Sequence, residues 1–285
     1  MGIYQDATVA MNRHVVRNIT SGKSAQFPAY GRVAAGYHTV GVELLGQTAN
    51  VAEQTILIDD MLVADVFLAE IDELMNHFDM SAPYASEIAF ALANANDQNI
   101  LRLAVLAARG SATVSDGDGG TIVTDSDGDT SAASLLASVF SAQQSMDEKN
   151  IPQEGRQLFL KPAQYSLLAQ NTTILDADYS SRPGDLGKGT TGPSLANFEL
   201  VKSNNVATTN NITGPSAYQG NFNNSFASAT HSSAIGTVQL KGLVVEGTRD
   251  PRRLGHLLTA RQAIGSDILR PESAVEFRTA ASTTT

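Results

Sequence analysis

Residues 17–41 read RNITSGKSAQFPAYGRVAAGYHTVG, and the fold turns on whether Gly22-Lys23-Ser24 opens a phosphate loop or leads into a strand. A phosphate loop has the spacing GxxxxGK[ST]: paired glycines let backbone amides curl around the anion, and the next residues open a helix. Here Arg17 stands at the first glycine position, and Ser24 is followed by Ala25-Gln26-Phe27-Pro28, whose proline disfavours helical geometry at Phe27. The nucleotide reading fails on both counts. Phe27-Pro28, Tyr30-Gly31 and Gly36-Tyr37 instead make Lys23–Tyr37 an extended segment. Residues 38–52 then form a loop or hairpin tip, and Gln54–Ile58 returns as a strand. An isolated hairpin is marginal in water, so this one is expected to lie on something else. That is the first sign of assembly.

Composition narrows the remaining classes. The chain of 285 residues is 42% hydrophobic and 17% charged, enough for one large core or two modest ones. It has no cysteine, which excludes disulfides and thiolate metal sites and fits a reducing interior. No apolar run reaches the roughly 18 residues of a membrane span, and MGIYQDATVAMNRHVV lacks the pattern of a secretory signal. A soluble protein is expected. Acidic residues outnumber basic ones 29 to 19, a formal charge of −10, against the basic surplus of nucleic-acid binders. The dense basic cluster Arg249-Asp250-Pro251-Arg252-Arg253 is interrupted by an acid and reads as a solvated turn or a subunit salt-bridge site.

Residues 1–20 lack a convincing period and read as an arm rather than a core element. From Asp59 to Phe78, Met61, Leu62, Val66, Phe67, Ile71, Leu74 and Met75 fall roughly at helical spacing. Asp79 or Ser81 could cap a long alanine-rich helix over 84–109, stopped by Gly110, with Ile88, Leu92, Ala95, Leu103 and Leu106 on one face. SDGDGGTIVTDSDGDT (115–130) fails the calcium-loop pattern in both registers and reads as two polar turns around a strand at Thr121–Thr124. A second helix over 131–149 carries the stripe Leu135, Leu136, Val139, Phe140 and Met146. Gln157–Leu160 is a buried strand, Pro162 starts a short helix, and 171–233 reads as loops with one strand at Phe198–Lys202. Strands return at Gly236–Glu246, Leu257–Ala263 and Ala274–Arg278, and the tail ASTTT is expected to be disordered.

Catalytic candidates are few. The five histidines form no HExxH pair, and neither GxSxG nor GxGxxG occurs in a usable context. Glu70, Asp72 and Glu73 read as the wet face of an amphipathic segment, and His77 as a half-buried neighbour of Phe78. Neither catalytic nor metal residues are assigned, and no cofactor is expected. Two other readings stay open at this point: a hydrolase using Asp/Glu chemistry, which needs convergent carboxylates, and a surface binding module, suggested by the Asn/Thr-rich loops.

The blocks that fail as catalytic motifs belong together. RNITSGKSAQFPAYGRVAAGYHTVG, QTILIDDMLVADVFLAEIDELMNHFD (54–79), YASEIAFALANANDQNILRLAVLAAR (84–109), DEKNIPQEGRQLFLKPAQYSLL (147–168), HSSAIGTVQLKGLVVEG (231–247) and ILRPESAVEFRT (268–279) resemble the major capsid protein of short-tailed bacteriophages. The likeness is to Autographiviridae-type podoviruses and their marine relatives, covers most of the chain and fades over 171–230. SGKSAQFP and MNHFD are its specific words. About twenty residues precede SGKSAQFP, where relatives tend to carry a longer arm.

The resemblance implies an α+β chain with the Hong Kong 97 type capsid fold. Residues 1–20 would be an N-terminal arm, 21–57 an extended β-hairpin loop, and 58–129 a peripheral domain with its spine helix at 84–109. Residues 130–231 would be the axial domain, 232–278 the return to the peripheral domain, and 279–285 a flexible tail. It implies a structural, non-enzymatic role: self-assembly into pentamers and hexamers of an icosahedral head around double-stranded DNA, held without sequence-specific contacts or a membrane. Scaffolding, portal and decoration proteins are expected partners, with assembly in the host bacterial cytoplasm and residence in the virion. Lys23 and Arg32 are expected at polar subunit contacts, Phe27 and Tyr37 as burial anchors of the hairpin, and Arg249, Arg252 and Arg253 at an interface. An acidic inner wall would repel phosphate and keep incoming DNA from sticking.

Overall fold

The computed structural model describes residues 9–10, 13–75, 81–171 and 194–280. A short strand β1 (Val15–Asn18) precedes the hairpin strands β2 (Ser24–Tyr30) and β3 (Val51–Leu57), then β4 (Leu62–Ala69) and helices α1 (Glu70–Met75) and α2 (Ser81–Arg109). Next come β5 (Thr121–Thr124), α3 (Ala132–Glu148), β6 (Arg156–Leu160) and α4 (Pro162–Ala169). The chain closes with β7 (Ser194–Leu195), β8 (Phe198–Lys202), β9 (Ser225–His231), β10 (Ile235–Asp250), β11 (Gly255–Ile268) and β12 (Ala274–Arg278).

Two sheets share one helix. Alanines favour α2 along its 29 residues, roughly 43 Å, and its exit is a turn in which the Gly110 N–H donates to Ala107 O at 2.9 Å. Its first half lays Ile88 and Leu92 on a four-stranded sheet ordered β1–β10–β11–β4, against Leu62, Ala64, Val66, Leu243, Leu258 and Ala260. Its second half is enclosed on more sides. Leu101, Leu103, Ala104 and Ala107 pack with Phe159, Val201, Ile235 and Ala274, while Val105 meets Ala207 and Phe222. A six-stranded sheet, β5–β12–β9–β6–β8–β7, lies beneath that half. The two-residue period of its strands sorts the side chains: Phe159 and Ala274 face α2, whereas Leu158, Leu160, Val275 and Phe277 face a second layer made by α3 and α4. Leu135, Val139, Ala142 and Met146 are the buried stripe of α3, whose N-cap Ser131 accepts from Ser134 N.

Several expectations are corrected. The segment from Asp59 is not helical at first: Leu62, Ala64, Val66 and Leu68 turn inward while Val63, Asp65 and Phe67 turn outward, and β4 pairs with β11 before α1 begins. Residues four apart share a face in either geometry, so Leu62 and Val66 fitted both. The partner strand decided. In α3, Phe140 is half exposed and Ser138 and Ala142 take the expected place of Leu136 and Phe140. Within the loop-like 171–233, β9 is a central strand buried through Thr230; its small side chains read as turn chemistry yet suit a strand covered on both faces. Val15–Asn18, expected in an arm without core elements, pairs in parallel with β10, and Ala10 belongs to the core. The six-stranded sheet also crosses the expected boundaries at 130 and 231, because β5 and β12 join β9 and β6. Of the tail, Thr279 donates its N–H to Asn224 O at 2.9 Å. Phe78, the cap candidate Asp79 and the ASTTT terminus lie outside the described residues.

Candidate subunit-contact surface

The hairpin β2–β3 has a seated base, a bridged neck and a bare tip. At the base, Ala25 pairs with Ile56, and both are buried on Val238 within a ring of Ile19, Phe27, Ile58 and Leu269. Arg17 donates to Gln26 O at 2.9 Å and holds its guanidinium 5.7 Å from the centre of the Phe27 ring. Just past β3, Ile58 N donates to Lys23 O (2.9 Å) and Asp59 N to Ile264 O (3.2 Å). The Tyr218 hydroxyl donates to the Asp59 carboxylate. Burial pushes both groups above their usual pKa ranges; the shared hydrogen bond lowers that of Asp59 and raises that of Tyr218.

At the neck, Gly31 N donates to Asn50 O (2.7 Å), and the Asn50 amide donates to the Asp116 carboxylate. Arg32 reaches Asp118 at 3.4 Å and Lys149 O at 3.3 Å. These contacts edge a groove of about 500 Å³ that also includes Tyr30, His231 and Arg270. It carries both signs of charge. Burial lowers the pKa of Lys149, with Asp118 and Glu272 pulling it back up, and burial lowers that of His231 as well.

Beyond the neck, residues 33–49 are exposed throughout. Val33, Tyr37, Val40, Val42, Leu44 and Leu45 stand 60–108% accessible, with only Glu43 charged among 33–49 apart from His38. Monomeric proteins seldom present that much contiguous apolar surface without a partner for it.

The expected interface residues fall in two places. Lys23, Phe27, Arg32 and Tyr37 run from base to tip of the hairpin: Lys23 exposed at its foot, Phe27 partly buried on its own subunit, Arg32 at the neck and Tyr37 bare. Arg249, Arg252 and Arg253 flank the turn joining β10 to β11, where Arg249 pairs with Glu70 (3.1 Å) and Arg253 with Asp250 (3.8 Å). Arg252 N donates to Asp250 Oδ1 at 2.9 Å. The structure does not bring the two groups together within one chain through any ion pair or hydrogen bond among the described residues.

The catalytic candidates Glu70, Asp72 and Glu73 lie together on the short helix α1. Ser24 starts β2, so no helix follows Gly22-Lys23 to face a phosphate. Glu70 is engaged by Arg249, Asp72 is exposed, and His77 lies outside the described residues. Among the described residues no group of three His, Cys, Asp or Glu could hold a metal.

Sequence reasoning missed the buried polar seam that positions this surface. Asp97, inside α2, accepts from Ala10 N (2.8 Å), Asn205 (2.9 Å) and Ser203 (3.3 Å), and Asn96 donates to Gln262 at 2.6 Å. At the end of α2, Arg109 forms a two-pronged pair with Glu276 (2.7 and 2.5 Å). The available signal was Asn96-Asp97 within an apolar, alanine-rich helix, where a buried polar pair needs specific partners.

The likeness to known proteins covers most of the chain. The chain is 29% identical to the major capsid protein of Enterobacteria phage T3 and 28% identical to that of Escherichia phage T7, each match covering 94% of this chain and 85% of the relative. Among solved structures, the capsid of cyanophage P-SCSP1u superposes with a TM-score of 0.88 at 34% identity, over 96% of this chain and 89% of that one. The mature capsid of bacteriophage PhiM1 shares the fold at a TM-score of 0.81 and 15% identity, over 97% and 88%. The fold is therefore the α+β capsid fold of the Hong Kong 97 type. The profile described as "Gp10A-like: Major capsid protein" matches residues 26–278, and the chain belongs to that family.

Proposed function

We propose that this chain is a tile of a phage head: copies form pentamers and hexamers that close into an icosahedral shell around double-stranded DNA. One observation carries the reading. The hairpin is fixed at its base by buried Ala25 and Ile56, yet presents six large apolar side chains to solvent at 33–49. A rigid base with an uncovered tip suits a segment that reaches the next copy, and weak contacts repeated on every subunit add up to a stable shell. In this reading 1–20 is the arm, 21–57 the extended loop, 58–129 the peripheral domain with α2 as its spine, and 130–231 the axial domain. Residues 232–278 return to the peripheral domain, and the six-stranded sheet ties the two domains together. Tyr37 is covered by the neighbouring copy, Phe27 steadies the base, and Lys23 and Arg32 make polar contacts across the boundary. Arg249, Arg252 and Arg253 meet another subunit. Scaffolding, portal and decoration proteins complete the particle, which assembles in the bacterial cytoplasm; the acidic chain encloses DNA without reading it. The role is structural, and no step in it calls on a catalytic residue.

Sedimentation and electron microscopy of the expressed chain test this. Capsomers or shells are expected from the full chain of 30.0 kDa, and a folded, correspondingly lighter monomer from a variant with 33–49 replaced by a short Gly-Ser turn. A full chain that stays monomeric, or a tipless variant that still builds shells, overturns the proposal.

A further inference from the structure

The N-terminal segment is held by a histidine whose hydrogen bonds fix its protonation state. His14 Nδ1 lies 2.8 Å from Ala10 O, and its Nε2 lies 2.6 Å from Thr237 Oγ1 on β10. A carbonyl can only accept, so Nδ1 carries the hydrogen. In the neutral ring Nε2 then accepts from the Thr237 hydroxyl, whose single hydrogen is thereby used. The Ser266 hydroxyl, 2.7 Å away on β11, must therefore donate to Thr237. Ser266 N donates in turn to the Tyr218 oxygen (3.1 Å), and Tyr218 donates to Asp59. Donation thus runs outward from Ser266 along two arms, through its hydroxyl and Thr237 to the neutral imidazole, and through its N–H and Tyr218 to Asp59.

Protonating Nε2 turns the ring from acceptor to donor toward Thr237. The Thr237 hydroxyl must swing its hydrogen off the ring and loses the acceptor it had there, and the ring acquires a charge that no carboxylate touches among the described residues. The charged groups around the segment are already committed. On the segment itself Arg13 pairs with Glu199 of β8 at 2.5 Å, Asp97 of α2 accepts from Ala10 N, and Asp59 after β3 holds Tyr218. From β10 and β11 the facing groups are the uncharged Thr237 and Ser266. Burial accordingly lowers the pKa of His14, with the bond to Ala10 O pulling it back up.

We infer that His14 is a proton-sensitive latch: it locks β1 onto β10 while neutral and releases that edge of the four-stranded sheet when it takes up a proton. The sign follows from linkage. A free histidine titrates near pH ~6.5, and the docked one titrates lower, so the undocked segment binds more protons below that pH. Docking is complete above it and weakens by up to about tenfold per pH unit as pH falls toward the docked pKa. Asp97 also meets this segment, through Ala10 N, and a non-titrating residue at position 14 separates its titration from that of His14.

Hydrogen–deuterium exchange of the full chain from pH 8 to pH 5, corrected for intrinsic rates, tests the latch. Protection at Val15–Ile19 is expected to fall by up to about tenfold per unit below pH ~6.5, while Leu101–Ala108 of α2 stays protected. In His14→Asn, whose amide can still donate to Ala10 O, protection at Val15–Ile19 is expected to be flat with pH. Protection that is flat or rising on acidification in the wild-type chain overturns the latch, as does an equal fall in the variant. If His14→Asn loses protection in α2, His14→Gln supplies the non-titrating comparison.

Discussion

The carbonyl oxygen of Leu57 lies 1.9 Å from where a Cβ on Gly265 would stand. The end of β3 therefore rests on bare backbone of β11, one residue after Ile56 has inserted against Val238. This contact sets where the hairpin leaves the body, and so the direction in which its apolar tip is presented.

Gly265→Ala tests that seat. Elsewhere in a strand, alanine in place of glycine gains about 0.5–1 kcal/mol by limiting the unfolded chain. Here the added methyl meets backbone that cannot rotate away, and overpacking of this kind costs about 1–3 kcal/mol, so the clash wins. A loss near the upper end, about 3 kcal/mol, is expected in urea unfolding of the dissociated chain, with faster deuterium uptake along β3. Unchanged stability would show that the hairpin base shifts freely on β11.

Arg109 and Glu276 fasten the C-terminal end of α2 to β12. The Glu276 side chain is wholly buried and also accepts from the Ser225 hydroxyl, while Arg109 holds Asn221 O at 2.7 Å. Removing one partner of a buried pair strands the other's charge, at a cost of about 3–5 kcal/mol. Arg109→Leu should lose about that much, and the double variant Arg109→Leu/Glu276→Leu less than the single one, because the stranded carboxylate is gone. Thermal or urea unfolding of the three chains gives the comparison. A double variant weaker than Arg109→Leu would mean that Glu276 contributes through contacts other than the pair.

How much of this was legible depended on whether a signal was local. Gly110 after an alanine-rich run located the end of α2, and Pro28 with Gly31 and Gly36 marked the extended hairpin, because turn and helix chemistry act within a few residues. β4 was misread because its identity lies in β11, almost 200 positions later in the chain. β9 was missed because serine, alanine and threonine look alike in a loop and in a crowded central strand. The interface residues were named from resemblance, and their spacing along the hairpin was legible. Their division into a seated Phe27 and a bare Tyr37 was not, since it depends on which part of the hairpin reaches Val238. The polar seam through His14, Asp97 and Tyr218 joins segments far apart in the chain, and only Asn96-Asp97 within the apolar α2 hinted at it.

Asp97 gives a pH-dependent test of that seam. Burial raises its pKa above the usual carboxylate range, while its bonds from Asn205, Ala10 N and Ser203 pull it down. Between the unfolded value of 3.8 and the higher folded one, the folded chain keeps a proton that the unfolded chain has shed. The Asp97 contribution to stability is therefore flat above the folded pKa, grows as pH falls through it and levels off below 3.8. Asp97→Asn cannot titrate and turns an amide N–H toward groups that donate, so a loss of about 1–3 kcal/mol is expected at pH 7. Because Ala10 joins His14 to Asp97, the comparison is made in a His14→Asn background, which removes the histidine's own titration. The stability gap between His14→Asn and His14→Asn/Asp97→Asn, followed by urea unfolding from pH 7 down to pH 4, is thus expected to widen on acidification. A gap that narrows would mean that the hydrogen bonds to the carboxylate outweigh its burial, and that Asp97 is held charged.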